Sequence, residues 1–207
     1  MKIKVCGMKY PDNIKELNKL PVDFAGMIFY EKSPRYAAKL NPEDIRDLFR
    51  GGRKRVGVFV NADMDYIIQM ADKFSLDLIQ LHGDESPDFC KELNKRMPVI
   101  KAFSISESSD FEKTKAYDGL CGYFLFDTKT PQYGGSGRKF DWNILDEYKG
   151  NTPFILSGGI SVDDAETIKN IKHPQFFGID LNSRFETEPG RKDIILLQQF
   201  IKRLKDE

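Results

Sequence analysis

Apolar positions along this chain follow two alternating patterns. Short runs dense in β-branched, leucine and aromatic residues recur at Ile3 to Cys6, Phe24 to Phe29, Arg55 to Val60, Asp77 to Leu81, Val99 to Phe103, Tyr123 to Phe126, Phe154 to Leu156 and Phe176 to Ile179. Such runs predict strands. Between them lie longer stretches whose apolar residues recur at helical spacing, clearest at Pro42 to Phe49, Met64 to Phe74, Pro87 to Lys95, Asp163 to Ile171 and Asp193 to Lys205. Leu17 and Leu20 mark a helix in the first connection. Asn41 before Pro42 and Ser86 before Pro87 read as helix starts, because those side chains cap the first amides and Pro suits the first turn. The stretch expected to be helical after the sixth run, around Asn143 to Tyr148, is weak.

Parallel strands need long crossovers, so eight strand-helix repeats imply parallel pairing. In Gly57-Val58-Phe59-Val60 successive residues are apolar, which fits a strand covered on both faces. Eight such units close into a (β/α)₈ barrel, a fold whose lower size limit is about 200 residues. The expected organisation is an α/β TIM barrel forming a single domain over residues 1–207. The competing fold, an open doubly wound sheet, loses ground because the first strand-helix turn has no Gly-x-Gly-x-x-Gly fingerprint.

Composition narrows the function classes. Acidic and basic residues balance at 32 each, so bulk charge gives no reason to expect nucleic acid or an anionic membrane as a partner. No apolar run is long enough for a membrane span. The first residues enter a strand-like pattern without a basic segment and long apolar stretch, which favours the cytoplasm over secretion. Three widely spaced cysteines, Cys6, Cys90 and Cys121, make a poor disulfide framework. His82 and His173 stand too far apart for a zinc motif. Chemistry without a metal is expected.

In a barrel, catalytic groups sit at the C-terminal ends of strands and in the loops that follow. Cys6 ends the first strand and Asp127 ends the sixth. Those strands are not neighbours in a ring of eight, so their ends can face each other across its mouth. A small molecule between them would meet a base on one side and an acid on the other, the arrangement for moving a proton. An isolated strand cysteine otherwise fills space. Lys4 shares the strand face of Cys6 and is expected to lower its thiol pKa, with Asp127 as the partner such an inward lysine requires. After the seventh strand, Ser157-Gly158-Gly159 offers backbone amides to an anion, and Gly178 to Ser183 follows as the eighth strand and loop. Loops seven and eight commonly build the phosphate site of these barrels, so a phosphorylated small-molecule ligand is expected. Arg35 has a guanidinium suited to gripping a carboxylate. His82 follows the fourth strand and suits either a site or a loop role. Residues 126–137, with Gly134, Gly135 and Gly137, read as a lid or as a glycine-rich turn. Cys90 and Cys121 read as buried small hydrophobes.

Several motifs, in order along nearly the whole chain, resemble the phosphoribosylanthranilate isomerase family of tryptophan biosynthesis. They are Lys4-Val5-Cys6-Gly7-Met8, Phe29 to Tyr36, Val58 to Asn61, Gln80-Leu81-His82-Gly83-Asp84-Glu85, Phe126-Asp127-Thr128, Gly134 to Gly137 with Phe140-Asp141-Trp142, Ser157-Gly158-Gly159-Ile160 and Pro189 to Asp193. The resemblance implies an Amadori rearrangement of N-(5-phosphoribosyl)anthranilate to 1-(2-carboxyphenylamino)-1-deoxyribulose 5-phosphate without metal or organic cofactor. It implies Cys6 as general base and Asp127 as general acid. It further implies Arg35 at the anthranilate carboxylate, Asp180 near the sugar hydroxyls, and Ser157, Gly158, Gly159, Asn182 and Ser183 around the phosphate. Lys4 and His82 complete the expected substrate-binding set, and the expected assembly is a monomer or homodimer. One departure stands out, because Arg184 occupies a position that is glycine in the family's usual eighth loop. Two other functions compete: a sugar-phosphate isomerase of histidine biosynthesis, expected to use two aspartates, and a non-catalytic phosphosugar-binding module.

Overall fold

The structure, a computed structural model, describes residues 1–48, 52–128 and 140–205. The eight expected strands form as β1 (Lys2–Val5), β2 (Phe24–Ile28), β3 (Lys54–Phe59), β4 (Leu78–Leu81), β5 (Val99–Ile105), β6 (Tyr123–Thr128), β7 (Phe154–Leu156) and β8 (Phe176–Leu181). They pair in chain order, all parallel, and β8 returns to β1 to close the barrel. Six α-helices surround the ring: α1 (Pro11–Leu17), α2 (Pro42–Leu48), α3 (Met64–Phe74), α4 (Pro87–Asn94), α5 (Ala165–Lys169) and α6 (Ile194–Lys205). Ser86 caps α4 by accepting from Phe89 N, and Asp63 caps α3 by accepting from Tyr66 N. The connections after β5 and β6 carry 3₁₀ segments, Ser108–Tyr117 and Trp142–Glu147, instead of α-helices. Ser108–Tyr117 has only a weak apolar stripe, which explains why helical periodicity did not reveal it. A two-stranded antiparallel ribbon, β9 (Glu186–Glu188) and β10 (Arg191–Lys192), lies between β8 and α6 and was not anticipated. The proposed lid falls mostly on residues 129–137, outside the described residues.

Period-two alternation assigns each strand residue to one of two layers. Outward residues such as Val5, Phe59 and Ile179 join the large core beneath the helices. Inward residues form a separate apolar cluster of Phe24, Val56, Leu78, Ile100, Ala102, Leu125 and Ile155 that plugs the lower barrel. Toward the C-terminal ends of the strands the lining becomes mixed, with Cys6, Gln80, His82, Asp127, Ser157 and Asp180 beside the apolar Ile28, Val58 and Val60. The barrel is therefore a packed apolar floor under a polar rim at the C-terminal ends of the strands.

Candidate active site

The rim residues surround one cleft of about 730 Å³ including its open mouth. Cys6, His82, Asp127, Ser157, Gly158, Gly159, Asp180, Asn182, Ser183 and Arg184 all line it, so the sulfur of β1 and the carboxylate of β6 share a cavity. Lys4 and Arg35 are not among the lining residues.

Ring closure explains the position of Lys4. In the β1–β8 register Lys4 lies opposite Asp180. Its ammonium, fully buried, donates to Asp180 Oδ2 at 2.9 Å. The expected partner, Asp127, is therefore replaced by Asp180, which the closing strand brings alongside. Burial opposes the Lys4 charge, but Asp180 and Cys6 outweigh it and hold Lys4 above the usual lysine range. Lys4 acts on the Cys6 thiol in the expected direction, but burial outweighs it. Burial pushes the thiol up; Lys4 and Lys192 pull it down and Asp180 adds to the rise, leaving it above the usual cysteine range. Asp180 Oδ1 is buried and has no protein partner among the described residues, although the residue borders the cleft.

Asp127 is held from two directions. Its Oδ1 accepts from Thr128 N at 2.8 Å, and its Oδ2 lies 3.4 Å from His82 Nε2. On the other side of that imidazole, Gln80 Nε2 approaches Nδ1 at 3.0 Å. An amide nitrogen can only donate, so the neutral ring carries its proton on Nε2, toward Asp127. His82 thus lines the cleft beside Asp127, and Gln80 behind it was missed because a strand glutamine carries no distinctive signal. The loop carrying His82 is fixed by buried Glu85, which accepts from Asn61 N at 2.9 Å, Gly83 N at 3.1 Å and Lys101 Nζ at 3.0 Å.

Gly158 and Gly159 have φ of +90° and +67°, a region in which side chains are strained. A Cβ at Gly158 would stand 2.8 Å from Asp127 Oδ1 and still closer to Thr128. The turn after β7 thereby brings bare backbone against the acid side of the cleft.

Arg35 lies behind the lining. Its Nε donates to Glu186 Oε1 at 2.9 Å and its Nη2 to Glu186 Oε2 at 2.6 Å. This side-on pairing occupies the Nε edge of the guanidinium and leaves Nη1 outside the pair. Glu186 also accepts from Lys192 Nζ at 2.6 Å, while Lys192 donates to Asn182 Oδ1 at 2.7 Å. Burial opposes the Glu186 charge, yet Arg35 and Lys192 hold its carboxyl below the usual glutamate range. Burial pulls Lys192 down to about 8 against Glu186. This buried cluster, tied down by β9 and β10, was not read from the sequence. Its residues sit in the Pro189 to Asp193 motif and just before it, where residue type alone does not reveal burial. Cys90 and Cys121 are buried free thiols, as expected. Among the described residues no group of three His, Cys, Asp or Glu side chains is placed to hold a metal ion. No helix among them is long and apolar enough to cross a membrane.

A closed parallel ring with polar side chains at the C-terminal strand ends, and a glycine turn after β7, defines the class: a (β/α)₈ barrel with a polar-lined cleft at the C-terminal ends of its strands. The family model for N-(5′-phosphoribosyl)anthranilate (PRA) isomerase matches residues 3–203. The chain belongs to the PRA isomerase family of tryptophan biosynthesis. It is 52% identical over 206 residues to the N-(5′-phosphoribosyl)anthranilate isomerase of Parabacteroides distasonis, covering 99% of this chain and 93% of that one. The crystal structure of phosphoribosyl anthranilate isomerase from Thermotoga maritima superposes with a TM-score of 0.86 at 34% identity, covering 100% of both chains. A further phosphoribosyl anthranilate isomerase, solved in complex with reduced 1-(o-carboxyphenylamino)-1-deoxyribulose 5-phosphate, gives 0.83 at 30% identity, again over 100% of both chains.

Proposed function

We propose that this cleft, within a chain acting as one barrel domain, rearranges N-(5′-phosphoribosyl)anthranilate to 1-(2-carboxyphenylamino)-1-deoxyribulose 5-phosphate. The observation that carries the reading is the shared cleft of Cys6 and Asp127. Asp127, protonated, gives its proton to the furanose ring oxygen. The C1′–O bond breaks and the nitrogen lone pair forms a C1′=N bond. Cys6, as thiolate, takes the C2′ proton, and the C2′–H electrons make the enolamine. Tautomerisation returns a proton to C1′ and removes the enol proton from O2′, so the product is an isomer of the substrate and both groups regain their starting states. His82 Nε2–H supports the Asp127 carboxylate left after the first transfer. Asp180 Oδ1, which has no partner among the described residues, suits a sugar hydroxyl. The Ser157 to Gly159 turn with Asn182 and Ser183 suits the phosphate, and the uncommitted edge of Arg35 suits the anthranilate carboxylate. Burial pushes the Cys6 thiol up, so loss of its proton is the step that the surrounding charges of Lys4 and Lys192 must assist.

A fluorescence assay following loss of the anthranilate substrate, made in situ, tests this. Cys6→Ala and Asp127→Asn are each expected to lower turnover by about 10²–10⁴-fold or more, the range for a lost acid or base. Binding of the reduced product analogue should stay measurable. Full activity in Cys6→Ala would remove sulfur from the mechanism.

A further inference from the structure

Behind the cleft lies another buried ion pair, and its hydrogen bonds run toward the site. Lys101 on β5 and Glu85, in the segment between β4 and α4, stand 3.0 Å apart with side-chain exposure of 3% each. Neither lines the cleft. Lys101 falls between Ile100 and Ala102, which face the barrel interior, so alternation puts it on the outer side of the wall. A buried pair is a poor device for stability alone, since packed apolar residues of similar volume often do as well or better.

What this pair holds is loop backbone. Glu85 accepts from Asn61 N of the loop after β3 and from Gly83 N of the loop after β4, while Lys101 Nζ donates to Gly83 O at 2.6 Å. Gly83 is thus tied by both its N–H and its C=O. Asn61 has φ of +50°, and its Oδ1 accepts from Asp84 N at 2.6 Å. The two loops touch so closely that a Cβ at Gly83 would stand 2.7 Å from Asn61 Cγ. His82, one residue earlier, donates its own N–H to Phe59 O at 2.8 Å. Its backbone is therefore clamped on both sides. Its ring reaches past β5, the strand between β4 and β6, to place Nε2 3.4 Å from Asp127 Oδ2.

We infer that Glu85 and Lys101 are positioning residues of the reaction: by stapling the loops after β3 and β4 to β5 they set the distance between His82 and Asp127. This rests on the acid–base reading proposed above and extends it to a pair that touches no substrate. His82 supports charge that Asp127 gains only as its proton leaves. A displaced ring therefore lowers kcat and leaves KM nearly unchanged.

The test measures turnover of the anthranilate substrate, made in situ, by Glu85→Gln, Lys101→Met and the milder Asn61→Gly, each alone and combined with His82→Ala. In the first two, kcat is expected to fall by about 10–10²-fold, up to the scale of a 1 Å misplacement, with a smaller fall in Asn61→Gly. In the His82→Ala background the same changes should lower kcat no further. Losses that multiply, losses that follow the folded fraction seen by circular dichroism, or an unchanged kcat in these variants or in His82→Ala overturn the inference. If the ion-pair variants fail to fold, Asn61→Gly decides. A second readout needs no turnover, because the chain has 2 histidines and its ¹⁵N imidazole spectrum is simple. The signals of His82 are expected to leave the pure Nε2–H form in the variants while those of His173 stay in place; an unmoved His82 overturns the inference. An unaltered protein that never turns over the substrate overturns the proposed reaction, and the ring spectrum then decides whether the pair holds His82.

Discussion

Lys4 and Asp180 form a buried pair of charges in the barrel, with side-chain exposure of 1% and 5%. Removing one partner from such a pair strands the other. Lys4→Met is expected to destabilise the protein by about 3–5 kcal/mol, read from the urea midpoint, and Lys4→Met/Asp180→Leu to regain most of that loss. A single variant as stable as the unaltered protein would show that the pair contributes nothing to folding. The pair also marks where sequence reading stopped. The inward face of Lys4 was legible from alternation, and so was its need for a partner. The partner was not, because the expected ring makes β8 a neighbour of β1 without giving the register that sets Lys4 opposite Asp180.

At the scale of elements, strands came through most clearly: all eight runs match barrel strands within a few residues, because covered strands are apolar on both faces. Met64–Phe74 was legible to the residue, since its apolar stripe is strong and Asp63 and Ser75 delimit it. The weak stretch around Asn143 to Tyr148 forms as the 3₁₀ segment Trp142–Glu147, whereas Ser108–Tyr117 and the β9–β10 ribbon were not legible, because neither depends on a repeating apolar pattern. That Cys6 and Asp127 share the mouth of the barrel was legible from their strand-end positions; Glu186, Lys192 and Gln80 were hidden because burial of a polar side chain depends on what covers it. Packing between elements also sets the thiol. A Cβ at Gly26 of β2 would stand 2.8 Å from Cys6 Sγ and 3.1 Å from Cys6 Cα. Gly26→Ala is therefore expected to displace the sulfur and lower kcat by about 10²-fold, the scale of a 1 Å misplacement, while circular dichroism still shows a folded barrel. Unchanged kcat would mean that the thiol position is not critical.

Across the whole molecule, stability should fail on the acid side. Burial works against the charge of Asp110, but Lys113 and the Ser106 and Glu107 donors outweigh it and hold that carboxyl far below its usual range. Burial likewise opposes Asp118, and Thr152 with Asn151 holds it low. Glu186 behaves the same way. All three bind protons more weakly folded than unfolded, so their stabilisation is complete above about pH 4–5 and is lost as pH falls below the unfolded values near 4. Melting temperature is expected to drop steeply from pH 5 to pH 3, about the range in which these carboxyls load protons. A flat profile there would contradict the assignment. Lys192 acts at the other end. Its folded value of about 8 lies below the usual 10.5, so between those limits the unfolded chain again holds the extra proton and stability gains with rising pH.

The seam between β1 and β8 has a bearing on how the chain is made. Lys4 meets its partner 176 residues later, and the strand pairing beside it has the same separation. During synthesis the first strand leaves the ribosome with one edge unpaired and one ammonium unanswered, and neither is satisfied until β8 emerges 176 residues behind it. The nascent barrel is thus an open sheet for most of its birth, with closure as its latest and least local event.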